Sequence, residues 1–186
     1  RIAILGAVGL CAVLASAADA QYFRKPISDL DPSIMEIDEK KFLGARLDPA
    51  TKLVDDTGAV FPLSDHLGKP LVLLLSYYTC DGSCSVINGL FLDLLEDVER
   101  VSPGVDFDVL TLSFDRHDTL ETAGTFKRHL GIGDDYADAW TFATFESVED
   151  LKAETAKIGF KFFWSPEDKV FLHPGAFLFL SPEGRL

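Results

Sequence analysis

Residues 71–95 read LVLLLSYYTCDGSCSVINGLFLDLL. The stretch opens as an almost unbroken apolar run from Leu71 to Tyr78 and turns at Thr79-Cys80-Asp81-Gly82-Ser83-Cys84. It leaves with Val86, Ile87, Leu90, Phe91, Leu94 and Leu95 at helical spacing. A short apolar run ahead of a turn predicts a buried strand, and the period after it predicts a helix on those six residues. Two cysteines therefore stand where a strand becomes a helix. Four residues apart, Cys80 and Cys84 share one face if both lie in the first helical turn. Free N–H groups and the positive end of the helix favour thiolate over thiol there. Two activated sulfurs in mutual reach support a reversible disulfide or a soft-metal site. The plainer alternative is an inert structural disulfide, which a reactive junction of this kind disfavours.

The 186 residues carry a net charge of −13, 47% hydrophobic residues and 15 Phe. That composition is globular, and its acidity argues against nucleic-acid binding, which needs a basic footprint. Of the three cysteines, Cys11 lies in an N-terminal run of apolar and small residues that starts at Arg1 and ends in Ala18-Asp19-Ala20. A basic start, an apolar centre and an A-x-A end predict a secretory signal over residues 1–20, with a short uncleaved anchor as the alternative. Leu10 before Cys11 argues against a lipid-modified cysteine. Export places Cys80 and Cys84, the pair left after cleavage, in an oxidising compartment. A bacterial periplasm is the expected location, with membrane association through a terminal segment as an option.

Outward from the cysteines, residues 21–46 read as an extended, loosely held arm broken by Lys25-Pro26, Ser28-Asp29 and Asp31-Pro32. Lys52-Leu53-Val54 and residues 59–63 flank Asp55-Asp56-Thr57-Gly58 and predict a β-hairpin. His66 falls in the turn ahead of the central strand and reads as a surface residue. Downstream, residues 105–114 predict a strand, 120–130 a helix capped by Asp118 or Thr119, 140–143 a short strand, and 147–158 a helix capped by Ser147. The preceding helix is expected to run to the Ser102-Pro103-Gly104 stop. Residues 160–164 and 169–172 flank a turn, and 176–180 form a last strand. Strand and helix in alternation indicate an α/β fold with parallel pairs and a terminal antiparallel hairpin.

A hairpin, a strand-Cys-x-x-x-Cys-helix unit, further βα units and a His-bearing loop before the last strand resemble the thioredoxin fold. More narrowly, three stretches resemble the SCO/SenC family of copper-binding proteins that serve cytochrome c oxidase assembly. They are residues 76–84 (SYYTCDGSC), 111–119 (TLSFDRHDT), and His173-Pro174-Gly175-Ala176 followed by residues 180–185 (LSPEGR). The resemblance covers roughly residues 47–186, read as one domain whose C-terminal part is truncated. It implies copper as the bound metal, held by Cys80, Cys84 and His173. Asp115 would orient His173 or tune the thiols from behind, or else cap a helix, and Pro174 would lie near the site. His117 reads as a solvated loop residue rather than a ligand. Departures are Asp81 and Ser85, where the family usually carries prolines, and Arg116-His117 where Pro-Arg is usual. Asp81 adds negative charge beside two would-be thiolates, which raises their pKa.

The chemistry agrees with the resemblance. Copper(I) prefers thiolates and accepts imidazole. With one Met, Met35, far from the motif, only the cysteine pair supplies soft donors. Zinc also accepts two Cys, one His and water. The leading expectation is an exported metallochaperone with a redox-active Cys80–Cys84 pair. It would deliver copper to an oxidase subunit or another cuproprotein and be reset by a thiol–disulfide reductant. The rival is an enzyme, a thiol–disulfide oxidoreductase that needs no metal; an interaction module with a static disulfide is a third reading.

Overall fold

The structure is a computed structural model that describes residues 31–186 apart from 81, 134, 135 and 137. The expected signal segment, Cys11, the first ten residues of the arm and Asp81 lie outside the described residues. The remainder holds eight strands and four helices. In chain order these are α1 (Glu39–Phe42), β1 (Lys52–Asp55), β2 (Val60–Pro62), β3 (Leu71–Ser76), α2 (Ser83–Asp97), β4 (Asp108–Ser113), α3 (Leu120–His129), β5 (Trp140–Phe145), α4 (Val148–Lys157), β6 (Phe163–Ser165), β7 (Val170–Leu172) and β8 (Phe177–Leu180).

Six strands form one sheet in the order β2-β1-β5-β4-β3-β8. β3, β4 and β5 are parallel, with Leu73 opposite Leu110 and Leu110 opposite Thr141. The β1–β2 hairpin and β8 add antiparallel strands at the two edges. Every residue of β3 and β4 is buried, as expected where helices cover both faces of parallel strands. That explains why residues 71–76 read as a continuous apolar run rather than an alternating one. The core closes on Trp140 stacked against Phe142 at 5.5 Å, with Phe91 meeting Trp140 edge-on at 5.4 Å. β6 and β7 pair only with each other, so that hairpin stands apart from the main sheet. No described helix is long and apolar enough to cross a membrane.

Several sequence expectations change here. The described part of the arm is not extended. Asp31 and Asp38 side chains accept the Ser33 and Lys41 N–H groups and start a 3-10 turn (Pro32–Met35) and α1. Residues 44–47 are then tied to the last residues of the chain. Gly44 N–H donates to Leu186 O at 2.6 Å, Leu186 N–H to Ala45 O at 2.9 Å, and Leu47 N–H to Gly184 O at 3.0 Å. α2 ends at Asp97, short of the Pro103 stop, where Val98 turns to extended backbone (φ −87°, ψ 112°). The Asp106 carboxylate accepts the Ser102 N–H, and Pro103 bridges to Phe107. The helical stripe is only half a core stripe: Val86, Leu90 and Leu94 are exposed, and the face toward the sheet is Cys84, Asn88, Phe91 and Leu95. His66 is not a surface residue either. Its ring packs edge-on to Phe61 at 5.4 Å, and Nδ1 lies 3.4 Å from the Asp108 carboxylate. This is the start of β3 and β4, the opposite end of the sheet from the cysteines.

Candidate metal and thiol centre

β3 delivers Tyr77, Tyr78, Thr79 and Cys80 at its C-terminal end, and α2 begins at Ser83. Gly82 caps α2 with no side-chain hydrogen bond, so the first-turn N–H groups stay free for other acceptors. One is taken up locally: Gly82 N–H donates to Cys80 Sγ at 3.4 Å. Ser85 Oγ donates to Cys80 O at 3.2 Å and ties the turn to the helix. Both cysteines are free and buried.

His173 arrives from the segment between β7 and β8. Its Nε2 lies 3.6 Å from Cys84 Sγ, and its Nδ1 lies 2.8 Å from Pro174 O. A carbonyl can only accept, so Nδ1 carries the proton and the Nε2 lone pair faces the sulfur. The ring is buried at 4% exposure among Phe114 (4.8 Å), Phe160 (5.9 Å) and Tyr77 (6.1 Å), which hold its plane. No cis peptide bond occurs among the described residues, so Pro174 follows His173 in the trans form.

The two thiols are inequivalent. The neighbouring Cys84 thiol lowers the Cys80 pKa to about 5, against the opposing effect of burial. The Tyr77 hydroxyl and the Cys84 and Gly82 N–H groups add to the lowering. Cys84 is pushed up by the Cys80 sulfur beside it and by burial, which disfavour a second thiolate. Tyr77 is also raised, chiefly by burial.

Asp115, expected behind His173 or the thiols, is in neither place. Its Oδ1 accepts the His117 N–H at 2.9 Å in an exposed turn, and Thr119 caps α3. Three residues on, Asp118 is the acidic group that reaches inward. Its carboxylate accepts the Tyr78 N–H at 2.7 Å, the Ser113 hydroxyl at 2.5 Å and the Thr122 hydroxyl at 3.1 Å. Burial raises its pKa in spite of those bonds. Strand-end position predicted an inward carboxylate, but the turn after β4 brings Asp118, not Asp115, back under the cysteine loop. His117 is exposed, with its Nε2 accepting from Arg116 Nε at 3.1 Å, as a solvated loop residue. Two further groups escaped the sequence reading: Tyr77 beside Cys80, and Asn88 beneath Cys84. A signal for Asn88 was present, since it is the polar residue four positions after Cys84 on the same helical face.

Among the described residues, no three His, Cys, Asp or Glu side chains already stand in metal-binding arrangement. The centre as it stands is a free dithiol with a preoriented imidazole hydrogen-bonded to one of its sulfurs. It offers one ready nucleophile, Cys80, one proton-holding partner, Cys84, and one nitrogen lone pair turned to that partner.

No protein-family model matches the chain, and no curated protein matches it. Solved structures do. A candidate electron transfer protein from Aquifex aeolicus VF5 is 32% identical, with 77% of this chain and 80% of that one covered at a TM-score of 0.70. ScoI of Arabidopsis thaliana, solved with copper bound, is 18% identical over 77% and 83% of the two chains, with a TM-score of 0.56. BsSco, of the Sco family of cytochrome c oxidase assembly proteins and described with a disulfide switch, is 19% identical over 77% and 81%, with a TM-score of 0.61. The protein thus belongs to one family with the Aquifex aeolicus protein, and its fold is the thioredoxin-like fold of the Sco proteins.

Proposed function

We propose that the protein binds one copper ion through Cys80, Cys84 and His173 and passes it to a copper-receiving protein. The observation that carries this reading is the pairing of Cys84 Sγ and His173 Nε2 at 3.6 Å, with the lone pair of Nε2 facing the sulfur. A sulfur and an imidazole nitrogen bound to one ion at the usual zinc bond lengths, about 2.3 and 2.0 Å, stand about 3.5 Å apart at a tetrahedral angle. Two thiolates and an imidazole suit copper(I) best among the common ions. Cargo binding replaces the Cys84–His173 hydrogen bond with metal bonds and releases the proton that Cys84 holds. The Sco relatives solved with copper bound support copper as the cargo. The cytochrome c oxidase assembly role of the Sco family makes an oxidase subunit the favoured recipient. Residues 1–20 favour export, to the periplasm in a bacterium, and with it an oxidising compartment in which Cys80–Cys84 alternates between metal-competent dithiol and metal-free disulfide.

The test is a copper(I) titration of the reduced protein against a competing chelator, with His173→Ala beside it. One-to-one binding that weakens in the variant supports the reading. No binding, or binding indifferent to His173, overturns it.

A second reading is favoured by the Cys80 thiol alone, lowered to about 5. As a thiol–disulfide oxidoreductase, the Cys80 thiolate attacks a partner disulfide and releases one partner thiolate. Cys84 then displaces the second partner sulfur, leaving a Cys80–Cys84 disulfide and a reduced partner. A thiol–disulfide reductant supplies the two electrons that reset the pair. This route uses neither metal nor His173, so His173→Ala separates the two activities.

A further inference from the structure

α2 turns four residues toward the sheet, Cys84, Asn88, Phe91 and Leu95, and one of them is an amide. Asn88 is 0% exposed. An amide at a core position costs stability unless its hydrogen bonds are met, and an apolar residue of that size is the ordinary choice there. All of the bonding of Asn88 is internal. One Nδ2 hydrogen goes to Cys84 O at 2.8 Å and the other to Ser76 Oγ at 2.9 Å. Its Oδ1 accepts from Thr111 Oγ1 at 2.8 Å, and Thr111 Oγ1 in turn accepts from Trp140 Nε1 at 2.8 Å.

The chain of bonds therefore begins on β5, crosses β4, and ends on the backbone of Cys84, with a branch to the last residue of β3. The start of α2 has no side-chain cap to fix it, because Gly82 offers none. Asn88 supplies that fixing from below, one turn into the helix. It ties the carbonyl of the very residue whose sulfur faces His173.

We propose that Asn88 is a positioning residue that holds Cys84 where its sulfur meets His173 Nε2, and so sets the metal affinity and reduction potential of the pair. The inference rests on Cys80, Cys84 and His173 being the working set. The amide touches no cargo and no reacting atom; it acts through the Cys84 backbone. Its retention at a core position follows, since an aliphatic residue fills the volume but anchors nothing.

The experiment compares Asn88→Leu, Ser76→Ala and a control, Thr155→Val, in the full chain. Thr155 is equally buried and donates to Leu151 O within α4, away from the cysteines. Copper(I) affinity by chelator competition, the Cys80–Cys84 potential by redox titration, and the urea midpoint are measured on each. Asn88→Leu is expected to weaken copper(I) at least about tenfold. It is also expected to make the disulfide at least about tenfold harder to reduce, a shift of about 30 mV for a two-electron couple. Ser76→Ala, which removes one anchor of the amide, moves both quantities in the same direction by less. Thr155→Val moves the midpoint alone. Wild-type affinity and potential in a folded Asn88→Leu protein overturn the proposal. If Asn88→Leu does not fold, an unshifted potential in Ser76→Ala overturns it equally. Failure of the wild-type protein to bind copper sinks the copper reading but leaves the potential of each variant to decide the role of Asn88.

Discussion

Cys84 and His173 stand 89 positions apart in sequence, and their side chains face each other at 3.6 Å between Sγ and Nε2. The pairing is preorganised from the histidine side, by the Pro174 carbonyl on Nδ1 and by Phe114, Phe160 and Tyr77 around the ring. His173→Phe keeps that aromatic packing and removes the donor. Copper(I) affinity is expected to fall at least about tenfold with the thermal midpoint little changed. Chelator competition and a melting curve on the same sample check it; retained affinity removes His173 from the ligand set.

The cysteine pair is expected to titrate in two well-separated steps. The first lies near pH 5, because the neighbouring Cys84 thiol, the Tyr77 hydroxyl and the Cys84 and Gly82 N–H groups favour the Cys80 thiolate. The second lies well above the ordinary thiol range, because burial and the first charge oppose it. Thiolate absorbance of the reduced protein reads both steps, and a single step near the usual value of about 8.5 contradicts the assignment.

The same shifts give a sign for stability. Cys80 is depressed on folding, so the stability it contributes is full above about pH 8.5 and is lost as pH falls through about 5. Cys84 is raised, so its contribution is present below about pH 8.5 and declines above it. The pair's contribution to the reduced protein therefore peaks near pH 8.5 and is missing from the disulfide form. Urea midpoints of the two redox forms across pH 4–10 isolate this difference; parallel curves exclude it.

Asp118 and Asp115 are expected to behave oppositely despite lying three residues apart. Asp118→Ala strips an acceptor from the Tyr78 N–H and from the Ser113 and Thr122 hydroxyls, and is expected to cost about 1–3 kcal/mol. Asp118→Asn removes negative charge that helps to raise Cys84, so the second thiol step moves down. Asp115→Ala, at an exposed turn, is expected to stay within about 0.5 kcal/mol and to leave copper binding alone. Equal effects at the two positions place the site wrongly.

Gly159 follows α4 with φ +70°, and a Cβ there collides with the Phe42 ring from α1. Gly159→Ala combines backbone strain with displacement of that ring, for a cost of about 1–3 kcal/mol. Faster proteolysis near residues 39–43 is expected alongside the lower urea midpoint. A neutral substitution means that α1 is not held against the domain at Phe42.

Much of the fold was readable because it rests on local pattern. The all-apolar run of β3, the helical period after it, Thr119 and Ser147 as caps, and the Asp56-Thr57-Gly58 turn each act over a few residues, and the elements formed there. The same period misled on α2, where Val86, Leu90 and Leu94 look like core residues and are exposed. Spacing gives a face but not the direction in which it is turned. That is set by which side of the helix meets β3 and β4, and Cys84 and Asn88 lie on it.

For the site, sequence alone determined the two sulfurs, their spacing, and their place at the strand-to-helix junction, because these are properties of one continuous stretch. Only the tertiary structure decided which thiol holds the proton, which carboxylate comes inward, and which nitrogen of His173 faces Cys84. Those depend on distances between segments far apart in the chain, and on burial that no single segment provides.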